Sequence, residues 1–285
     1  MEAVVSAGWL LDEYLRPDVR IVDSTLFLAG HQRDARAEFE HAHIPGAVFL
    51  DQDELSEPGS DLPHTLPSAA RFAAYVGQLG IAATDRIIVY DDSPLRSAAR
   101  GWWMFRLFGA RRVAVLDGGL AAWKAAGGEL VAGGAPSEGV APARFTASAD
   151  LSALRTLADM LANLHDPEAQ VADARSPGRF AGTDPEPRPG MRSGHIPGAR
   201  NLPFASLYAE DGRLKDRAGL EAAFRAAGVD PARPFIASCG SGVTAACIIH
   251  AATMLEGGDT LPGALYDGSW SEWGGRKDTP VATGA

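Results

Sequence analysis

The sequence contains one unit twice. Three short motifs of the first half recur in the second half, in the same order and at nearly constant spacing. They are an apolar stretch ending in Asp (Asp23 and Asp173), a His-Ile-Pro-Gly-Ala turn (His43 and His195) and an Asp-Gly pair before a Trp-containing segment (Asp117 and Asp267), with spacings of 150, 152 and 150 residues. Three anchors at one long spacing predict a duplicated domain rather than a short-period solenoid.

Each half alternates short apolar stretches with helical patterns. Residues 86–90 and 113–116 are typical of strands, and the segment 97–108 between them is typical of a helix. Residues 234–238 predict a strand in the second half, and residues 245–255 predict the helix that follows it. This alternation predicts an α/β fold in which each half forms a mostly parallel sheet flanked by helices.

A stretch rich in Gly, Pro and Ala separates the two halves. It runs from Gly133 to Pro142, and such a composition is typical of a linker. A chain of 285 residues is long enough for two domains of ordinary size. We therefore expect an N-terminal domain at residues 1–135, a linker at 136–149 and a C-terminal domain at 150–285.

Cys239 is the strongest candidate for a functional side chain. It opens the run Cys-Gly-Ser-Gly-Val-Thr-Ala (239–245) between a predicted strand and a predicted helix. Such a loop would surround the sulfur with backbone N–H groups, which favours a thiolate. A buried structural cysteine is the alternative, but a core position does not need this glycine-containing loop. The first half has Asp91 at the matching position, so we expect catalysis in the second half.

Composition narrows the possible partners and location. A formal net charge of −10 disfavours a nucleic-acid partner. Cys239 and Cys247 are the only cysteines, which excludes a disulfide scaffold and suits a reducing compartment. The sequence has neither a secretory signal nor an apolar run of membrane-spanning length, so we expect a cytoplasmic protein without a membrane partner.

His41 and His43 have no third ligand at suitable spacing, so no metal is expected.

The paired halves and the loop 239–245 resemble the tandem-domain rhodanese superfamily, and the loop resembles that of its 3-mercaptopyruvate sulfurtransferase branch. The resemblance covers nearly the whole chain, with supporting motifs at residues 102–106, 178–188 and 267–270. It implies two rhodanese-like domains, the first catalytically silent. It also implies an enzyme without a metal or organic cofactor, and we expect the chain to be a monomer. Cys239 would take sulfur from 3-mercaptopyruvate as a persulfide, release pyruvate and pass the sulfur to a thiol, thioredoxin or cyanide.

The same resemblance implies roles for residues around the cysteine. Arg179 and Arg188 would bind the 2-oxo acid end of the substrate, a use that suits the planar donor fork of arginine. Ser241 would act with His64 and Asp53 as an acid/base relay. The loop residues that would also bind the substrate are Gly240, Gly242, Val243 and Thr244. The plain alternatives are two surface arginines and a surface histidine.

The residues of the loop 239–245 distinguish between related enzyme activities. A cysteine-based phosphatase needs an arginine six positions after the cysteine, where this chain has Ala245. A thiosulfate-using rhodanese has basic residues just after its cysteine, where this chain has the neutral Gly240 and Ser241. These positions favour mercaptopyruvate as the sulfur donor. Thiosulfate:cyanide sulfurtransfer and a non-catalytic persulfide carrier remain as alternatives.

Overall fold

The computed structural model describes residues 1–28, 30–133, 141–257 and 260–284. The chain divides into two compact units. Unit 1 consists of Met1–Glu57, Leu66–Asp150 and Glu210–Arg213. Unit 2 consists of Pro58–Thr65, Leu151–Ala209 and Leu214–Ala285. Each half of the sequence therefore contributes one short segment to the other unit.

Unit 1 contains a parallel five-stranded sheet with strand order β1-β5-β4-β2-β3. Its strands are Val4–Val5 (β1), Val19–Asp23 (β2), Ala47–Phe49 (β3), Arg86–Tyr90 (β4) and Val113–Leu116 (β5). Its helices are Ala7–Glu13 (α1), Ala35–His41 (α2), Gln52–Leu55 (α3), Ala69–Gln78 (α4), Ala98–Leu107 (α5) and Gly119–Ala125 (α6).

Unit 2 repeats this topology, with parallel strands in the order β6-β10-β9-β7-β8. Its strands are Leu154–Arg155 (β6), Gln170–Asp173 (β7), Arg200–Asn201 (β8), Phe235–Ser238 (β9) and Ala264–Tyr266 (β10). Its α-helices are Leu157–His165 (α7), Pro177–Ala181 (α8), Arg217–Ala226 (α9), Ala245–Glu256 (α10) and Ser269–Trp273 (α11), and Leu151–Ala153 and Phe204–Leu207 form 3-10 turns. The predicted α/β fold with two parallel sheets flanked by helices is confirmed.

Strand order explains where a ligand site forms. In unit 2 the chain passes from β7 outward to β8 and then returns to the opposite side of β7 for β9. The carboxyl ends of β7 and β9 therefore border the point where the strand order reverses, which is the usual ligand crevice of an open parallel sheet. All four residues of β9 are buried, as expected for a central strand covered on both faces. This strand ends directly before Cys239.

The end of the predicted linker packs on unit 1. The Ala143 N–H donates to the Gly77 carbonyl (2.8 Å), and the Phe145 ring lies 5.4 Å from the Phe72 ring. Burial of the Phe145 ring removes a large apolar surface from water and so stabilises the packed segment. Residues 134–140 lie outside the described residues, so the predicted domain boundaries stay a prediction.

Candidate active site

The loop after β9 places donor groups around the cysteine. Cys239 is buried, with 2% of its surface exposed. Gly242 has a φ of 79°, a left-handed conformation that glycine adopts without strain. In the part of the chain that the structure describes, the N–H groups of Ser241, Val243, Thr244 and Ala245 donate to no backbone carbonyl. Since α10 begins at Ala245, these donors also lie at the positive end of a helix dipole. The loop is therefore built to hold an anion.

Helix α11 holds this loop from its carbonyl side. The N–H groups of Trp270 and Ser271 donate to the carbonyls of Cys239 (3.0 Å) and Gly240 (2.8 Å). The Cys239 N–H donates to the Ser269 hydroxyl (3.2 Å). Because the C=O and N–H of a peptide point in opposite directions, anchoring these carbonyls turns the N–H groups that follow them away from α11.

Ser241 and His64 are brought together across 177 residues of sequence. The His64 Nδ1 lies 2.8 Å from the Ser241 Oγ, and both side chains are buried. His64 belongs to unit 2 because the segment Pro58–Thr65 joins that unit. Asp53 lies on α3 in unit 1, where its N–H donates to the Asp51 carboxylate (3.1 Å). Its part in a relay stays a prediction.

Arg179 lies against the start of the cysteine loop. It is carried by α8, and a Cβ built on Gly240 would lie 3.1 Å from its Nη2. Its Nη2 and Nε donate to the Glu186 carboxylate, with the shorter contact at 2.5 Å. A quarter of the Arg179 side chain is exposed (24%).

Arg188 reaches the same loop residue through a serine. Its Nη1 donates to the Ser271 Oγ (3.0 Å), and this hydroxyl donates to the Gly240 carbonyl (2.6 Å). Both predicted substrate-binding arginines therefore converge on Gly240, one residue after the cysteine. Val243 and Thr244 complete the loop with their backbone groups and lead into α10.

A buried ion-pair network supports Arg179, and sequence reasoning did not identify it. Arg175 has no exposed side-chain surface and pairs with Asp173 and Glu186, each at 2.7 Å. Burial opposes its charge, but the two carboxylates hold the pKa of Arg175 above its usual range. Its guanidinium also lies 4.3 Å from the Trp270 ring centre. The signal in the sequence was the alternation of basic and acidic residues between positions 173 and 188.

The matching loop of unit 1 has a carboxylate in place of the thiol. Asp91 follows β4, and its Oδ2 accepts a hydrogen bond from the Ala98 N–H (2.6 Å) at the start of α5. Burial raises the pKa of Asp91 to about 6. The Asp91 carboxylate thus provides a hydrogen-bond acceptor at the N-terminus of α5. In unit 2 the matching side chain is the thiol of Cys239, which provides no carboxylate for the N-terminus of α10.

The histidines of the repeated turn have structural contacts. The Nδ1 atoms of His43 and His195 lie 2.7 and 2.8 Å from the carbonyls of Phe39 and Phe180. Among the described residues, no three His, Cys, Asp or Glu side chains are grouped so that they could hold a metal ion. Within the same residues, no helix has the length and apolar character needed to cross a bilayer. Cys247 is buried on α10.

Comparison with known proteins identifies relatives over nearly the full chain. The model of the rhodanese-like domain matches twice, at residues 6–126 and 156–276. The 3-mercaptopyruvate sulfurtransferase of Rattus norvegicus is 43% identical over 95% of this chain and 91% of the relative. The thiosulfate sulfurtransferase of Cricetulus griseus is 42% identical with the same coverage. The crystal structure of SseA, a 3-mercaptopyruvate sulfurtransferase from Escherichia coli, superposes with a TM-score of 0.84 at 40% identity, covering 95% of this chain and all of SseA.

Proposed function

Because this chain belongs to the rhodanese family, we propose that the cysteine loop carries sulfur and that the protein is a 3-mercaptopyruvate sulfurtransferase. The observation that carries this proposal is the convergence of Arg179 and Arg188 on Gly240, directly beside Cys239. A donor that combines a carboxylate, a ketone and a thiol matches two guanidiniums next to a sulfur nucleophile.

The two arginines bind the planar 2-oxo acid group. Glu186 occupies Nε and Nη2 of Arg179, which leaves its Nη1 to face a ligand. A guanidinium can donate two parallel hydrogen bonds to a carboxylate, so it fixes the orientation of the acid as well as its position. With the acid end held by the arginines, the substrate thiol is directed toward Cys239.

The sulfur then moves in one substitution step. The Cys239 thiolate attacks the sulfur of mercaptopyruvate, and an S–S bond forms as the C–S bond breaks. The electron pair of the broken bond becomes the enolate of pyruvate, which takes up a proton. The Ser241–His64 pair, assisted by Asp53, supplies that proton from within hydrogen-bonding distance of the loop.

Cys239 is left as a persulfide, whose negative charge the loop stabilises. The four N–H groups of Ser241, Val243, Thr244 and Ala245 provide donors that need no reorganisation, as an oxyanion hole does for oxygen. A thiol, thioredoxin or cyanide acceptor then attacks the outer sulfur and restores the thiolate. The cysteine itself carries the group, so this cycle uses no organic cofactor.

Unit 1 contributes no second nucleophile in this proposal, since Asp91 stands where unit 2 has Cys239. We also propose that the chain acts as a monomer in the cytoplasm, where both free cysteines would stay reduced. A molar mass of one chain by light scattering in reducing buffer supports the monomer, and a mass of two chains contradicts it.

Thiosulfate is the second candidate donor, because a thiosulfate sulfurtransferase is among the close relatives. The neutral Gly240 and Ser241 favour mercaptopyruvate, since the loop itself then has no basic side chain after the cysteine for the dianion thiosulfate. A persulfide carrier without its own donor is less consistent with the site, because it has no use for an arginine pair that fits a small acid.

Intact mass spectrometry after incubation with each donor tests the proposal. We expect mercaptopyruvate to add one sulfur atom to the wild-type chain, and cyanide to remove it. Cys239→Ser should add none, whereas Cys247→Ala, the matched control, should load as the wild type does. Faster loading from thiosulfate would favour the alternative, and loading of Cys239→Ser would overturn the mechanism.

A further inference from the structure

The Ser271 hydroxyl connects Arg188 to the Gly240 carbonyl of the cysteine loop. We infer that Ser271 is a positioning residue that orients Arg188 for the 2-oxo acid and thereby sets the affinity for the sulfur donor. This inference rests on the proposed function, because it takes Arg188 as a substrate-binding residue.

The chemistry of the three groups determines the direction of both hydrogen bonds. A guanidinium can only donate and a carbonyl can only accept. The single hydroxyl hydrogen of Ser271 must therefore point at the Gly240 carbonyl (2.6 Å), and its lone pairs accept from Arg188 Nη1 (3.0 Å). Ser271 is 8% exposed, so water competes little for either bond. The hydroxyl thus gives the Arg188 guanidinium a fixed contact with the loop.

Removing this hydroxyl would act on Arg188 more than on the loop. The Gly240 carbonyl also accepts the Ser271 backbone N–H (2.8 Å), and the Cys239 carbonyl accepts the Trp270 N–H (3.0 Å). Both backbone bonds persist when the side chain of residue 271 is shortened. Arg188, by contrast, loses a charge-assisted contact that restricts a long side chain with several rotatable bonds.

The internal repeat shows that the fold does not need this hydroxyl. Residues Asp117-Gly118-Gly119-Leu120-Ala121 of unit 1 correspond to Asp267-Gly268-Ser269-Trp270-Ser271 of unit 2. Unit 1 keeps the equivalent of the Trp270–Cys239 backbone bond, from the Leu120 N–H to the Asp91 carbonyl (3.0 Å), with alanine at position 121. The serine is therefore found in the unit that has the arginine site, and the shared topology does not require it. We expect Ser271→Ala to fold.

Steady-state kinetics of three variants test the inference. For Ser271→Ala we expect the KM for mercaptopyruvate to rise about tenfold, the size of effect expected for one lost hydrogen bond to a charged group, with kcat within twofold of wild type. Ser271→Thr keeps a hydroxyl and should restore KM to within threefold. Ser206→Ala is the matched control, because it removes a serine hydroxyl bonded to a carbonyl (Pro203, 2.7 Å) elsewhere in unit 2, and it should leave KM unchanged.

Alkylation of Cys239 by iodoacetamide in the absence of substrate separates a positioning role from a structural one. The rate should be the same in Ser271→Ala and wild type, while protection of Cys239 by pyruvate should require about tenfold more pyruvate in the variant. An unchanged KM in Ser271→Ala, or an alkylation rate that changes as much as KM does, would overturn the inference. A wild-type chain that does not turn over mercaptopyruvate would instead overturn the proposed function, and this inference with it.

Discussion

Asp91 of unit 1 and Cys239 of unit 2 occupy the same position in two copies of one fold. Each follows the central strand of its sheet, and the carbonyl of each accepts a hydrogen bond of 3.0 Å, from the N–H of Leu120 and of Trp270 respectively. One copy places a carboxylate at this position and the other a thiol. The scaffold is therefore common to both units, and the side chain at one position distinguishes them chemically.

Asp91→Asn should stabilise unit 1 at neutral pH. Burial raises the pKa of Asp91 from 3.8 to about 6, so the folded chain binds this proton more tightly than the unfolded chain does. A raised pKa makes its contribution to stability greatest below pH 4, and that contribution is lost as the pH rises through about 6. Removing the charge should add about 3 kcal/mol to the free energy of unfolding at pH 8 and little at pH 4.

Urea titrations at pH 4, 6 and 8 measure this difference. Asp92→Asn is the control, because Asp92 is its neighbour but is 41% exposed and paired with Arg33. It should show no gain at pH 8. A stability gain for Asp91→Asn that does not change with pH would contradict the prediction.

Ser241→Ala and His64→Asn should lower turnover by the same mechanism. Their side chains share one hydrogen bond of 2.8 Å, so loss of either partner would break the proposed proton path. We expect each substitution to reduce kcat on mercaptopyruvate by about 10²-fold. Asparagine is chosen because His64 has a φ of 55°, which asparagine tolerates better than alanine.

The double variant provides the check on that pathway. If the two residues act as one unit, it should lose no more activity than either single variant. Additive losses would show that they act separately. The same set can be extended with Asp53→Asn, which should match the single variants if Asp53 completes the relay.

Gly240→Ala should weaken substrate binding without removing the nucleophile. The new Cβ would lie 3.1 Å from Arg179 Nη2, so the guanidinium must move by a few tenths of an ångström. We expect KM for mercaptopyruvate to rise about threefold, since small displacements of positioning groups reduce affinity and rate. Gly8→Ala on α1 is the control, because its nearest neighbour would be 3.9 Å away. An equal change in both variants would argue against the role of Arg179.

Glu186→Gln should destabilise unit 2. Glu186 is paired with both Arg175 and Arg179, and its side chain is only 4% exposed. Its loss leaves the buried Arg175 with one carboxylate, and breaking a buried pair typically costs about 3 kcal/mol. Thermal unfolding should show a clear drop in Tm, whereas Asp184→Asn, an exposed acid in the same loop, should change it little. Equal Tm values for wild type and Glu186→Gln would contradict this account of the network.

The duplication and the fold class were readable from the chain itself. Alternating apolar and helical stretches are local patterns, and the recurrence of Asp23 as Asp173 and of His43 as His195 requires only comparison along the sequence. The same holds for Cys239, because a strand, a glycine-containing loop and a helix start are adjacent in sequence. Features of this kind can be predicted from the sequence because they do not depend on how distant segments pack.

Contacts between side chains that are far apart in the sequence could not be predicted from such local patterns. Arg188 and Ser271 are 83 residues apart, and nothing in either neighbourhood indicates a shared hydrogen bond. The Arg175 network was missed for a related reason: a charged side chain is usually exposed, and only its complete burial between Asp173 and Glu186 shows that it is structural.

The sequence by itself determined that this protein is a doubled α/β fold with a cysteine in a glycine-containing loop at the end of a central strand in its second half. Only the tertiary structure decided which side chains surround that cysteine. It assigned His64 to unit 2 through the segment Pro58–Thr65, and it placed two arginines at Gly240. The physical reason is that strands and loops follow from local periodicity and backbone preference, whereas these contacts depend on how distant segments pack against one sheet.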